Sequence, residues 1–182
     1  MRMDPSAKTS AKDIIQTWSE KELEELFSMY GEEPFARRCA KEICLERKRE
    51  SIETTEHLSR LLEKVAFRSK KTHPATRVFQ ALRIEVNQEL NEVESILPKL
   101  LQRLCPGGIG AVISFHSLED RLVKRFIQEQ SARQKEGMRL LPKVKALTKK
   151  PIIASDEEIK QNRRARSAKL RAFQKLDPND PP

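Results

Sequence analysis

Three groups of residues in this chain have the types and spacing to do chemistry. Ser114-Phe115-His116-Ser117 closes a nearly apolar run, Ile109 to Phe115, and opens a segment of helical spacing through Leu122, Val123, Phe126 and Ile127. Where a buried strand ends and a helix begins, polar side chains gather at the strand's carboxyl end, the place where open α/β sheets hold ligands. The helix N-terminus adds positive potential there. His116 is the candidate catalytic group of this set. Ser117, followed by Glu119 and Asp120, also reads as a plain helix cap, and the two roles are compatible. The second group is Gln80, Arg83, Asn87 and Asn91, which share one helical face and start beside Arg77. Such a row suits hydrogen bonds to bases, a buried polar network, or solvated surface. The third is Arg163, Arg164 and Arg166, inside a basic block. From Ser131 to Lys175 there are 14 Lys/Arg against 4 Asp/Glu, which is +10, while the rest of the chain has 22 against 23. A block of that kind meets a polyanion, most often nucleic acid, or is a solvated tail.

Other clusters carry less. Gly107-Gly108-x-Gly110 invites a phosphate-loop reading, but such a loop follows a strand and opens a helix. Here the glycines follow a helix and precede the strand, so a helix C-cap and tight turn is expected. His57 and His73 are isolated, and no metal site is expected at either. Cys39, Cys44 and Cys105 form no CxxC pair, which suggests neither a disulfide framework nor zinc. No Ser-His-Asp order or G-x-S-x-G elbow is present.

The elements that must position these residues follow from capping and periodicity. Ser10 or Thr9 caps a helix from about Ala11 with Ile14, Ile15 and Trp18 inward. Ser19 with Glu22 forms a capping box over a second helix carrying Leu23, Leu26 and Phe27, ended by Gly31. Pro34 to Arg49 places Phe35, Cys39, Ile43 and Cys44 on one face. Thr54 or Thr55 opens a fourth helix with Leu58, Leu61, Leu62 and Val65 inward. The longest pattern runs from Pro74, suited to a first helical turn, to about Leu104, with a stripe through Val78, Leu82, Val86, Leu90, Val93, Leu97 and Leu104. Pro98 predicts a kink or break in it. The apolar strand Ile109–Phe115 reads as buried on both faces, as in a parallel sheet. Val144, Ala146, Ile152 and Ile153 suit short strands, Ser155 with Glu158 forms another capping box over a short helix to about Asn162, and Ser167 to Phe173 alternates like a last strand.

Bulk properties set the class. The 182 residues allow one domain with an appendage, and at 35% charged and 5% aromatic the core must be aliphatic. A single Trp18 and a single Tyr30 offer few stacking platforms for bases. No apolar run approaches a membrane span and no signal-peptide core is present, so the cytosol is expected.

Lys71-Thr72-His73-Pro74-Ala75-Thr76-Arg77-Val78-Phe79-Gln80-Ala81-Leu82-Arg83-Ile84, Val86-Asn87-Gln88-Glu89-Leu90, Ser114-Phe115-His116-Ser117-Leu118-Glu119-Asp120-Arg121 and Val123-Lys124-Arg125-Phe126 resemble the ribosomal RNA small subunit methyltransferase H family. Met1-Arg2-Met3-Asp4, Tyr30-Gly31-Glu32-Glu33 before Phe35-Ala36, and Asn162 to Leu170 agree in order, with Arg163 where the family usually has proline. The resemblance implies transfer of a methyl group from S-adenosylmethionine to the N4 amino group of a cytidine in 16S rRNA. It implies an α/β fold: a Rossmann-like methyltransferase sheet, present here only in its late strands, with a helical insertion that makes the chain helix-rich. On that map residues 1–9 are a truncated lead-in, 10–70 the helical insertion that recognises substrate, 71–176 the C-terminal part of the methyltransferase domain, and 177–182 a disordered tail. The RNA-binding candidates are Arg77, Gln80, Arg83, Asn87, Arg163, Arg164 and Arg166.

The family's Gly-Gly-His motif, the acidic residue after its second strand and its Asp-Leu-Gly-x-Ser-Ser segment precede Met-Arg-Met-Asp, and nothing in this chain replaces them. The chain is therefore expected to bind no S-adenosylmethionine alone and to be a truncated or split portion, inactive by itself. Its partners would be 16S rRNA in the small ribosomal subunit and a separate N-terminal half. The alternative is a non-catalytic rRNA-binding protein. The strand Ile109–Phe115 would lack neighbours on one edge. Exposing about 400 Å² of apolar area costs roughly 10 kcal/mol at the usual coefficient, which is a whole domain's stability, so the sheet is expected to need a partner.

Overall fold

The computed structural model describes residues 1–4, 6, 8–66, 73–132, 134–135, 138–139 and 142–177. Lys71 and Thr72 of the long motif, part of the basic block and the tail beyond Asp177 fall outside them. The chain forms two compact units, Met1–Glu89 and Leu90–Pro182. Among the described residues no helix is long and apolar enough to cross a membrane.

The first unit is helical: α1 (Ala11–Thr17), α2 (Glu20–Met29), α3 (Ala36–Arg49), α4 (Thr55–Glu63) and α5 (Thr76–Asn87). Local chemistry starts three of them. Ser10 and Ser19 are N-caps, each in a reciprocal box with Asp13 or Glu22, and Thr54 accepts from the His57 N–H to open α4. Each box satisfies two of the amides that a helix start leaves without partners. The apolar faces close on one core: Ile14, Leu23, Phe27, Cys39, Ile43, Leu62, Val78 and Leu82 are fully buried. Phe35 is an exception to the expected α3 face. It sits at the N-cap, outside the helical repeat, and is 44% exposed. Gly31 is required, because a Cβ there would lie 2.6 Å from the Phe27 carbonyl oxygen and 2.7 Å from that of Arg77. The turn after α2 thus presses on α5. Pro74 precedes α5 by two residues rather than lying in its first turn. Helix α5 shares the core of α1 and α2 through Val78 and Leu82, so the compact helical unit extends past residue 70 to Glu89.

The long stripe is broken, but not at Pro98. Gln88 adopts a left-handed conformation (φ 51°) and ends α5, and α6 (Glu89–Arg103) runs on with Pro98 inside it. The cost of an internal proline is borne because Leu97 and Leu101, on either side, are buried in the second unit's core.

The second unit adds β1 (Ile109–Ser114), α7 (Ser117–Ser131), β2 (Gln134–Lys135), β3 (Met138–Arg139), β4 (Val144–Ala146), β5 (Ile152–Ile153), α8 (Asp156–Gln161), a 3-10 turn (Arg163–Ser167) and β6 (Lys169–Lys175). Strand β6 is central. It pairs with β1 on one side and with β4 and β5 on the other, every pairing antiparallel; β2 and β3 form a separate two-residue ladder. Two expectations are corrected. Strand β1 is neither parallel to its neighbour nor buried on both faces: Ile109 and Ile113 are 60% and 56% exposed while Gly110 and Ser114 are buried. The physical reason is that its partner is the last strand, running the opposite way, and that apolar cover comes to the inner face alone, where Leu97, Leu101, Val123, Ile127 and Val144 surround Phe173. The last strand also begins two residues later than expected, because Ser167 belongs to the 3-10 turn.

The glycines before β1 are structural. Gly108 N–H donates to the Cys105 carbonyl at 2.9 Å across Pro106 and the left-handed Gly107 (φ 79°), the pattern of a type II turn. Gly107 N–H donates to Lys175 O, and Lys175 N–H to Gly108 O, both at 2.9 Å. Two residues thus face one across the ladder, a bulge that favours glycine at its first position. Gly110 makes room for the Phe173 ring, which a Cβ would approach within 2.5 Å.

Candidate functional site

Strand β1 delivers Ser114 to the start of α7, and the register sets Ser114 opposite Lys169. Ser114 Oγ donates to Lys169 O at 3.3 Å. Next comes His116, and here the cap is one residue earlier than the sequence reading placed it. His116, not Ser117, is the N-cap of α7: its Nδ1 accepts from the Glu119 N–H at 3.3 Å. The Glu119 carboxylate returns to the Phe115 and His116 N–H groups at 2.7 and 3.3 Å, and its other oxygen lies 3.4 Å from His116 Nε2. An imidazole whose Nδ1 accepts carries its proton on Nε2 when neutral. The ring is 8% exposed, so in this arrangement it shapes the turn and presents little surface to a ligand.

One turn along α7, Asp120 receives Arg171 from β6 in a bidentate pair, 2.6 and 3.1 Å, with both side chains largely buried. Lys169 stands 3.7 Å away on the rim. Arg171's hydrogen bond is the main cause that holds the Asp120 carboxyl below its ordinary range, against the opposing effect of burial, with the charges of Arg171 and Lys169 adding to it. This pair ties α7 to the central strand directly beneath the β1–α7 turn. Sequence reading missed it, although Arg171 falls on the same alternate face as Phe173 in the segment read as a strand.

Arg163, Arg164 and Arg166 are exposed around the buried Ala165, in a 3-10 turn whose N-cap, Asn162, accepts from the Arg164 N–H at 3.1 Å. Only Ala168 separates this turn from Lys169, so the arginines enter the sheet at the end where β1 delivers Ser114 and His116. Other cations of the block serve the fold: Lys175 Nζ donates to Leu104 O near the end of α6 at 2.7 Å.

The second row of candidates, in the helical unit, is engaged internally. Arg77 donates to Glu32 O at 2.6 Å and Gln80 to Tyr30 O at 3.2 Å. Asn87 clamps the chain start, donating to Met1 O at 3.0 Å and accepting from the Met3 N–H at 2.8 Å. Arg83 forms a bidentate pair with Glu89.

Among the described residues nothing fits S-adenosylmethionine. Gly107 and Gly108 spend their amides on the bulge and the turn, and among the described residues no glycine loop opens a helix. A groove of about 760 Å³ between Leu97 and Leu101 of α6 and Leu122 and Phe126 of α7 includes neither His116 nor the arginine turn, so it is not assigned to this site.

Comparison with known proteins sets these features in a lineage. The chain is 47% identical over 184 residues to the ribosomal RNA small subunit methyltransferase H of Thermomicrobium roseum, covering 97% of this chain and 56% of that protein. It is 49% identical to the protein of that name from Nostoc sp., covering 96% and 54%, and 47% identical to that of Methylococcus capsulatus, covering 96% and 60%. The chain thus spans little more than half the length of the curated relatives it matches. The family model described as MraW methylase matches residues 1–176, and the chain belongs to that family.

Proposed function

We propose that this chain is the substrate-side, C-terminal part of an S-adenosylmethionine-dependent enzyme that methylates the N4 amino group of a cytidine in 16S rRNA, in the cytosol, with the cofactor held by a segment outside it. The observation that carries the reading is the register that sets Ser114, at the end of β1, opposite Lys169, two residues after the arginine turn. Phosphates held by Arg163, Arg164 and Arg166 would bring a nucleotide to the carboxyl end of β1, where α/β enzymes do their chemistry. We read β1, β6, β4 and β5 as the late strands of a Rossmann-like sheet, with the helical unit inserted before them. Strand β1 has β6 as its one partner among the described residues, which leaves an edge for the earlier strands. His116 acts in this reading as a positioning residue, fixing the turn through Glu119. Arg77, Gln80, Arg83 and Asn87 position the lead-in segment and the helical unit on the RNA.

The lack of a cofactor cradle among the described residues favours a second reading, a non-catalytic protein that binds the small subunit. Two measurements separate them. Calorimetric titration of S-adenosylmethionine into the chain alone is expected to give no saturable binding; a micromolar constant would overturn the division of labour. The chain mixed with the N-terminal part of the Thermomicrobium roseum relative is expected to transfer labelled methyl groups to small subunits. His116→Ala should lower turnover of that mixture more than it weakens assembly. An assembled but inactive mixture that still binds rRNA would establish the second reading.

A further inference from the structure

Away from that site, the end of α3 and the first turn of α4 bring together three side chains whose sequence positions gave no hint of it. Glu46 and Glu50 are one turn apart on α3, Glu50 as its C-cap. His57 occupies the first turn of α4, held there by its own N–H bond to Thr54 Oγ. His57 Nε2 lies 3.0 Å from Glu46 Oε1, and one ligand atom from each of Glu46, Glu50 and His57 lies within 4.8 Å of the others. They stand on the wall of a hollow of about 810 Å³ that Glu53 and Glu63 also line.

We propose that Glu46, Glu50 and His57 bind a first-row divalent cation of the zinc class, tying the end of α3 to the start of α4 across the Ser51–Thr54 connection. The charge pattern points to a cation. The neighbouring acids have partners: Glu53 has Lys12, Glu63 has His73, and Glu56 takes Arg60. The Glu50 carboxylate makes no ion pair or hydrogen bond among the described residues, and Glu46 is met by the imidazole alone. Lys64 lines the hollow as well, without pairing to either. Two carboxylates at this spacing repel unless a positive charge sits between them. One imidazole nitrogen with two carboxylates is a donor set for zinc and its neighbours rather than for magnesium or calcium, which take oxygen ligands. Metal–ligand distances of about 2.0–2.2 Å require the three groups to draw in slightly, which an exposed Glu50 and a half-buried His57 accomplish by rotation about their side-chain bonds. The ion would take the place of the 3.0 Å contact that now joins His57 Nε2 to Glu46. The hollow leaves its remaining positions to water.

The test is calorimetric titration of zinc chloride into the full chain, free of any histidine tag, with thermal melting alongside. One equivalent is expected to bind saturably and to raise the melting temperature, since an ion that binds the folded state alone stabilises it. Millimolar magnesium should not displace it. His57→Ala and Glu50→Gln should each weaken binding by about tenfold or more, the order of loss that altering a metal site produces. Glu50 is exposed, so that variant keeps the fold even if His57→Ala does not. Cys105→Ser should leave binding unchanged. The proposal is overturned by the absence of saturable uptake, by Glu50→Gln and His57→Ala binding as tightly as the parent, or by loss of uptake in Cys105→Ser, which would place the ion on the thiol.

Discussion

The helical unit closes on itself, and the sheet unit does not. In the first, the five helices of the described residues turn their apolar faces to a common core, and three of their starts are satisfied by local serine and threonine caps. In the second, one sheet face is covered while the other shows Ile109, Ile113 and Ile152 to solvent, and β1 keeps an edge open among the described residues. Burial is thus distributed by role. The helical unit encloses its apolar side chains, whereas the sheet unit leaves apolar surface on one face.

The sharpest way to break this comparison is to cut into each side. Phe27→Ala, in the closed core, should destabilise the chain by roughly 3–5 kcal/mol in urea denaturation. Ile113→Thr, on the open face, should change stability by no more than about 0.5 kcal/mol. Equal losses would mean that the face is covered in solution. Breaking the buried pair with Arg171→Ala is expected to cost about 3–5 kcal/mol by stranding Asp120, and Asp120→Leu with Arg171→Met should recover much of it.

Acid and alkali should distinguish the units. The folded carboxyl of Asp120 titrates below its unfolded value of about 3.9. Its stabilisation is therefore complete above that pH and disappears as pH falls through the folded value. Hydrogen exchange in α7 and β6 should rise on acidification before the fluorescence of Trp18, which reports the helical unit, changes. Burial pushes the Cys39 thiol up to about 12, with the Glu33 charge adding to it. An unfolded thiol ionises near 8.5, so the helical unit should hold its stability up to about that pH and lose it as pH rises toward 12. In the native chain Ellman's reagent should react with Cys105 alone of the three cysteines, since Cys39 and Cys44 are buried. Fast reaction of all three would show that the closed core opens readily.

The smallest effect expected is on RNA affinity. The slope of log K against log salt for a small-subunit rRNA fragment should lie near −3 to −5, with about 0.7–0.9 per phosphate neutralised. Replacing Arg163, Arg164 and Arg166 with Ala should flatten it by about two units. Replacing Arg83 and Asn87 should change it by at most about one, because their bonds serve position. A slope indifferent to the triple change would return the arginine turn to solvated surface.

What the sequence disclosed was local. The caps at Ser10, Ser19 and Ser155 lie within four residues: the Ser19 box is as expected, Ser10 is one of the two caps the sequence offered, and of the box expected at Ser155 the serine cap is present. The Gly107-Gly108 turn was readable for the same reason. What stayed hidden depended on distant partners. Asp120 meets Arg171 across 51 residues, and the antiparallel register of β1 on β6 is set by a strand that had no neighbour in the sequence. The helix ends at the left-handed Gln88, and the next one runs on through Pro98, where burial of Leu97 and Leu101 offsets proline's local preference. At the site, the arginine turn was legible as charge, but its entry into the sheet at the Ser114 end of β1 followed only from pairing. The cap fell on His116 rather than Ser117 because a histidine nitrogen can do the work of a serine hydroxyl.

The edge of β1 that is open among the described residues also bears on how the chain fares in a cell. Ile-Gly-Ala-Val-Ile-Ser carries no charge and no proline, the usual guards of a strand edge. Without a strand to cover it, such an edge recruits others like it or is handed to chaperones and proteases, so abundance becomes a matter of triage rather than of synthesis. Co-production with a covering strand should then raise soluble yield even where no catalysis is measured. The cell would in effect be counting assembled molecules and discarding the unassembled ones.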